Sequence, residues 1–212
     1  MKATTLDEKT IHDIGHAFGY YDYNEEHGLV DAYPNKDAAA EYICGYVKMA
    51  LQSGMLYTTS ENQEAFIAYK KPSEKVGLKA GLLLVKAMLN TMKLKGVVSF
   101  AKTLAKSGQS LSKRFDKEKK PYIFVGLVCV MEKYQGQGYM RKVMQMAFAE
   151  GKKLGIPVIL ETDVKSKCDK YMHLGMELAG TRKFMTKNKQ GTLYDLIKHP
   201  NRQKKTSEGP SK

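Results

Sequence analysis

Gln135-Gly136-Gln137-Gly138-Tyr139-Met140-Arg141 joins two stretches of opposite character. Before it, Tyr122-Ile123-Phe124-Val125-Gly126-Leu127-Val128-Cys129-Val130-Met131 is uncharged and rich in β-branched and aromatic residues, which predicts a strand covered on both faces. After it, Val143, Met146, Ala147 and Leu154 recur at helical spacing, while Lys142, Gln145, Glu150, Lys152 and Lys153 take the wet side. A strand that ends in glycines and restarts as a helix leaves the first-turn backbone N–H groups without internal partners, which makes an anion site. Gly136 and Gly138 remove the Cβ atoms that would hold a phosphate away. The positive end of the helix, with Arg141 close by, favours the negative charge.

The residues around the turn narrow the choice of phosphate ligand. A nucleotide P-loop ends in Gly-Lys-Ser/Thr, but Gly138 is followed by Tyr139 and Met140; the dinucleotide fingerprint needs a third glycine, and Arg141 stands there. The stretch from Val128 to Lys142 instead resembles the Gln/Arg-x-x-Gly-x-Gly/Ala signature of the GNAT superfamily of acyl-CoA N-acyltransferases, with Met140 where that family usually carries Gly or Ala. Val158-Ile159-Leu160-Glu161-Thr162 is similar to the family's next strand, and Tyr171-Met172-His173-Leu174-Gly175-Met176 to its Tyr-x-x-x-Gly-Phe helix end. The three blocks follow in the family's order and spacing and cover about a third of the chain.

The resemblance implies an α+β fold, a three-layer sandwich with a mixed, mostly antiparallel sheet flanked by helices and carrying a helical insertion. It implies acetyl-CoA as co-substrate and no metal. Its pantetheine arm would lie along Val128, Cys129 and Val130, and its pyrophosphate on Gln135, Gly136, Gln137, Gly138, Tyr139, Met140 and Arg141. Tyr171 matches the family's general acid; a tyrosine pKa near ~10 lies close enough to a thiol's ~8.5 for donation to the departing sulfur. Lys167 stands where the family often has Asn. Glu161, at the end of the second central strand, is the candidate base, with Glu132 and the acids between Tyr20 and Asp31 as competitors. His173 is expected to cap or pack, and Cys129, mid-strand, to be a small buried hydrophobe rather than a nucleophile.

Size and composition fit a single domain over 1–198, with an insertion at 71–121 and a disordered basic tail at 199–212. With 212 residues, 42% hydrophobic and 27% charged, the chain can bury a full core. No apolar stretch is long enough to span a membrane, and Met1–Thr10 is polar, so neither a signal peptide nor a membrane partner is expected and the cytoplasm is the default compartment. Cys44, Cys129 and Cys168 are odd in number and far apart, supporting neither a disulfide framework nor a zinc site. The formal charge of +13 concentrates in Lys102–Lys120 and Lys198–Lys212 with few interleaved aromatic residues, which argues against a nucleic-acid partner.

Along the chain, Leu6–Tyr21 reads as a first helix capped by Thr5 with Glu8 completing a capping box. The resemblance implies that Asp22, Tyr23, Glu25, Glu26 and Tyr33 of the following loop face the acceptor amine. Asp37–Ser53 reads as a second helix, and Met55–Ser60 and Glu64–Lys70 as a hairpin. In the insertion, Leu78, Leu82, Val85, Leu89 and Met92 fall on one helical face, and Val97 to Leu104 suggests a second helix after Gly96. A wall or lid over the acceptor site, a dimer face and a membrane-surface contact are its three possible uses. Met176–Lys187 and Gly191–Lys198 read as a closing hairpin with Asn188-Lys189-Gln190 at its tip.

The resulting expectation is an N-acetyltransferase acting on a small-molecule amine of polyamine, amino sugar or antibiotic type, as monomer or homodimer. A protein N-terminus or lysine as acceptor, and a non-catalytic acyl-CoA-binding module, are the alternatives.

Overall fold

The computed structural model describes residues 1–21, 33–186 and 189–200. Asp22, Tyr23, Glu25 and Glu26, expected to face the acceptor, and the tail from Asn201 lie outside the described residues. Elements follow the chain as α1 (Glu8–Gly19), α2 (Lys36–Gln52), β1 (Leu56–Thr58), β2 (Ala65–Lys70), α3 (Leu78–Lys106) and α4 (Leu111–Lys117). There follow β3 (Ile123–Val130), α5 (Tyr139–Leu154), β4 (Val158–Thr162), α6 (Lys165–His173), β5 (Glu177–Thr186) and β6 (Lys189–Lys198).

The six strands form one sheet in the order β1-β2-β3-β4-β6-β5. Only β3 and β4 run parallel, as expected where a helix, here α5, makes the crossover. Two cores lie on opposite faces. Ile123, Val125, Val158, Leu160 and Leu196 meet Val143, Met144, Ala147 and Phe148 of α5 and Cys168 and Tyr171 of α6 on one side. Leu56, Phe66, Ala68, Leu127 and Cys129 meet Ile11 and Ile14 of α1 and Ile43 and Val47 of α2 on the other.

The odd-numbered residues of β3 serve both cores because the strand changes phase. Its pairing with β2 shifts between Ala68 and Tyr69, leaving Gly126 unpaired as a bulge. Ile123 and Val125 therefore face α5, whereas Leu127 and Cys129 face α1 and α2. Val128 and Val130 take over on the α5 side.

Local chemistry accounts for most boundaries and corrects some expectations. The first helix is capped by Asp7, whose carboxylate accepts from the Thr10 N–H, so the box expected from Thr5 and Glu8 does not form. Asn35 caps α2 in the same way through the Ala38 N–H. On α5 the buried stripe is Val143, Met144, Ala147, Phe148 and Gly151; Leu154, expected inside, is 45% exposed.

The insertion packs as an outer layer on α2. Its long helix α3 is kinked at Lys93, whose backbone (φ 56°, ψ 169°) is not helical, so two helical segments result, as the pattern suggested. The short α4, capped by Ser110, was not anticipated; Leu111 seats it on Ile159 and Ile197 of the sheet. The stripe Leu78, Leu82, Val85 and Leu89 does not pack inward. Ala80, Ala87 and Thr91, on the opposite side of the helix, are the buried residues, and only Met92 of the expected stripe is covered. Small residues win because α2 and α3 approach closely: a Cβ added at Gly45 would sit 2.2 Å from the Ala87 Cβ.

That contact predicts opposite effects for two glycine substitutions. Gly45→Val should cost about 1–3 kcal/mol of stability by overpacking. Gly81→Ala, whose new methyl meets only Val76 at 3.9 Å, should gain up to about 1 kcal/mol through helix propensity. Urea unfolding midpoints of the two variants check this.

Candidate active site

The strands β3 and β4 are paired at Ile123–Val158, Phe124–Ile159 and Val125–Leu160, and there their pairing stops, although both strands continue. The end of pairing coincides with the bulge at Gly126. Beyond it the two strands enclose a cleft, and among the described residues the β3 backbone edge from Gly126 to Val130 has no strand beside it on the β4 side. A cavity of about 590 Å³ occupies this cleft, lined on one side by Val125 to Val130 and on the other by Leu160 to Asp163.

At one end the cavity reaches Gln135, Gly136, Gly138, Tyr139 and Met140 at the start of α5. Gly136 (φ 75°) and Gly138 (φ 80°) adopt left-handed backbone that side chains disfavour, and a Cβ at either would meet nothing within 4 Å. Space around them is therefore open to a ligand rather than filled by the fold. No side chain caps α5, so its first-turn N–H groups face this opening without a partner from a cap. Eight of the ten residues expected at the cofactor line the cavity; Gln137 and Arg141 do not. The Gln137 amide turns back to donate to the Lys133 carbonyl at 3.0 Å, and Arg141 is exposed on the outer surface of the helix.

Cys129 contributes backbone rather than sulfur. Its thiol lies against the Ile14 carbonyl of α1 at 3.7 Å, and burial, with Glu132 adding to it, pushes the thiol up to about 12. It is a packed hydrophobe at neutral pH. Tyr171, on α6, is buried among Val128, Val130 and Tyr139 on the α5 side and lines the cavity. Lys167 also lines it, paired with Asp163 at 3.4 Å and lying over the Phe18 ring. His173 is exposed and outside the cavity lining.

The far end of the cavity is aromatic. Tyr33, Tyr42, Tyr46 and Phe100 line it, with Tyr33 centred 5.4 Å from Tyr42 and 6.3 Å from Phe100. Tyr33 was expected here. Tyr42 and Tyr46 read as core positions of α2; two tyrosines four apart on an otherwise aliphatic stripe were the available signal. Phe100 and Leu104 of α3 also line the cavity, so the insertion forms part of its wall. Burial raises the phenols of Tyr33 and Tyr46 far above their ordinary value, and raises Tyr42 as well. A side chain at Gly126 would strike the Tyr46 hydroxyl, 1.9 Å from the added Cβ, so the bare bulge lets this ring sit where the strands part.

Glu161 lies at the end of β4 and lines the cavity, with both oxygens engaged. One accepts from Arg182 at 2.6 Å and the other from the Ser112 hydroxyl at 3.1 Å. Arg182 also donates twice to Asp195, at 3.0 and 3.1 Å, and to the Ser107 hydroxyl at 3.0 Å. One guanidinium thus ties β4, β5 and β6 to the end of α3, and Ser112 adds α4. Burial alone would lower its pKa; hydrogen bonds and charges from Asp195 and Glu161 outweigh that and raise it. Glu132, the competing carboxylate, is exposed and bonded to His16 at 2.8 Å, outside the cavity lining. Among the described residues no group of three or more His, Cys, Asp or Glu converges as a metal site.

Residues 96–173 match the model of the acetyltransferase (GNAT) family. The fold is that of GNAT acetyltransferases. It is shared with a histone acetyltransferase HPA2 and related acetyltransferase from Corynebacterium glutamicum ATCC 13032, at 14% identity and a TM-score of 0.59 over 95% of this chain and 96% of that one. It is also shared with the polyamine N-acetyltransferase of Drosophila melanogaster, at 13% identity and a TM-score of 0.53 over 92% and 97% of the two chains. A match to smu.2055 from Streptococcus mutans UA159, at 19% identity and a TM-score of 0.35, covers 38% of this chain and about half (52%) of that one. No curated protein matches significantly.

Arg182→Leu should cost about 3 kcal/mol or more, because two carboxylates lose their shared cation. A lowered urea unfolding midpoint at neutral pH, relative to the unsubstituted chain, checks this.

Proposed function

We propose that the chain is an N-acetyltransferase that moves the acetyl group of acetyl-CoA directly to the primary amine of a small molecule of polyamine, amino sugar or antibiotic type. The observation that carries this reading is the cleft between β3 and β4. It joins an unpaired strand edge, an uncapped glycine-led helix start and the Tyr171 phenol in one cavity.

In this reading the pantetheine arm bonds to the free β3 edge as an added strand would, and the pyrophosphate rests on the amides from Gly136 to Met140. The amine enters the aromatic end, where Tyr33, Tyr42 and Phe100 suit an ammonium group through their ring faces. Glu161 and Asp163 are the carboxylates that line the cavity among the described residues. Since the Glu161 oxygens already serve Arg182 and Ser112, we assign Glu161 to anchoring the ammonium and passing its proton to water. The neutral nitrogen attacks the thioester carbon, a C–N bond forms and the C–S bond breaks. Tyr171 gives its proton to the leaving sulfur and regains one from the amine by way of solvent.

Release of free thiol from acetyl-CoA across a panel of amines tests the reading. Turnover is expected with at least one amine, falling about 100-fold or more in Tyr171→Phe while the acetyl-CoA Kd stays within about twofold. Gly138→Val, which forces a branched side chain onto φ 80°, should weaken acetyl-CoA binding at least about tenfold. Acetyl-CoA binding without turnover on any amine would leave an acyl-CoA-binding module and overturn the enzymatic proposal.

A further inference from the structure

The first half of α3 is apolar on two opposite sides. Ala80, Ala87 and Thr91 are buried on one side, where Ala87 meets Gly45 of α2. Leu78, Leu82, Val85 and Leu89 lie on the other, at steps of four, three and four, and are 83%, 58%, 51% and 41% exposed. After the kink, Leu94 (68%) and Val98 (44%) continue the exposed set. Isolated exposed leucines need no explanation; a continuous stripe on one helix does.

Charge narrows what covers it. From Lys75 to Phe115 there is no Asp or Glu, and the exposed Lys79 and Lys86 flank the stripe before the kink while Lys95 and Lys102 flank it after. The acids of the chain lie elsewhere, so the segment is a cationic apolar surface on a protein whose net charge is already +13. A second copy docked symmetrically on this face would bring the same lysines together, which opposes dimerisation. An anionic bilayer surface satisfies both features at once: leucine and valine enter the acyl boundary while the lysine stems reach up to the headgroups. No helix among the described residues is long and apolar enough to cross a membrane.

We propose that the exposed face of α3 is a docking surface for an anionic lipid membrane, revising the expectation of no membrane partner. The same helix supplies Phe100 and Leu104 to the cavity wall, so docking would set the acceptor end of the cavity close to the bilayer. The proposal stands on the exposed stripe and its charge, independently of whether the chain turns over acetyl-CoA.

Co-sedimentation of the full chain with phosphatidylglycerol/phosphatidylcholine vesicles, beside phosphatidylcholine alone, tests it. Binding is expected to the anionic vesicles, weakening as salt rises. Leu82→Ser with Leu89→Ser, which leaves the charge unchanged, should lower the partition coefficient at least about tenfold, and Lys79→Glu with Lys86→Glu should do likewise. Circular dichroism and acetyl-CoA affinity of each variant, both expected unchanged, show that the fold is intact. Three results would overturn the proposal: no binding to anionic vesicles, binding that the serine pair leaves untouched, or a wild-type dimer by ultracentrifugation that the serine pair converts to monomer.

Discussion

The loss of pairing between β3 and β4 after Val125 and Leu160 is the constraint on which the site depends. Two parallel strands that stayed hydrogen-bonded to their ends would leave no room for a ligand and no free backbone to bind one. The bulge at Gly126 ends that pairing and reverses which side each later residue faces. The same event therefore sends Leu127 and Cys129 to the α1/α2 core and leaves their backbone beside the cavity. The missing side chain at the bulge is also what admits Tyr46 to the aromatic end of the cavity.

A parted pair of strands is a weakness in a sheet, and Arg182 offsets it. By bonding Glu161 at the end of β4, Asp195 on β6 and Ser107 at the end of α3, it fixes the far wall of the cleft to the insertion. The cost of burying its charge is met by two carboxylates and a hydroxyl with none of the described buried side-chain polar atoms left unpartnered. The insertion is thus part of the cavity on its inner side, while its outer side remains apolar and basic.

The strand, glycine turn and helix from Tyr122 to Leu154 were legible because periodicity and backbone demands are local. The two central strands, α2, the hairpins and a two-part helical insertion were legible for the same reason. The Asp7 cap was missed because Thr5 and Glu8 offered a competing local pattern. The direction of the α3 stripe was not legible, because hydrophobic periodicity locates an apolar side without telling which side meets the protein; Ala87 faces inward on close approach to Gly45. The site divides in the same way. Residues bound to the turn, such as Gly136 and Gly138, could be named from the motif. The Arg182 node and the tyrosines of α2 depend on contacts between distant segments, and no spacing announces them.

Amide hydrogen exchange of the full chain, with and without acetyl-CoA, tests the central claim most directly. Slowed exchange is expected only along the β3 edge at Val128 and Val130 and at the amides from Gly136 to Met140, with β1 and β5 unchanged. Slowing elsewhere with none on that edge or at the helix start would contradict it.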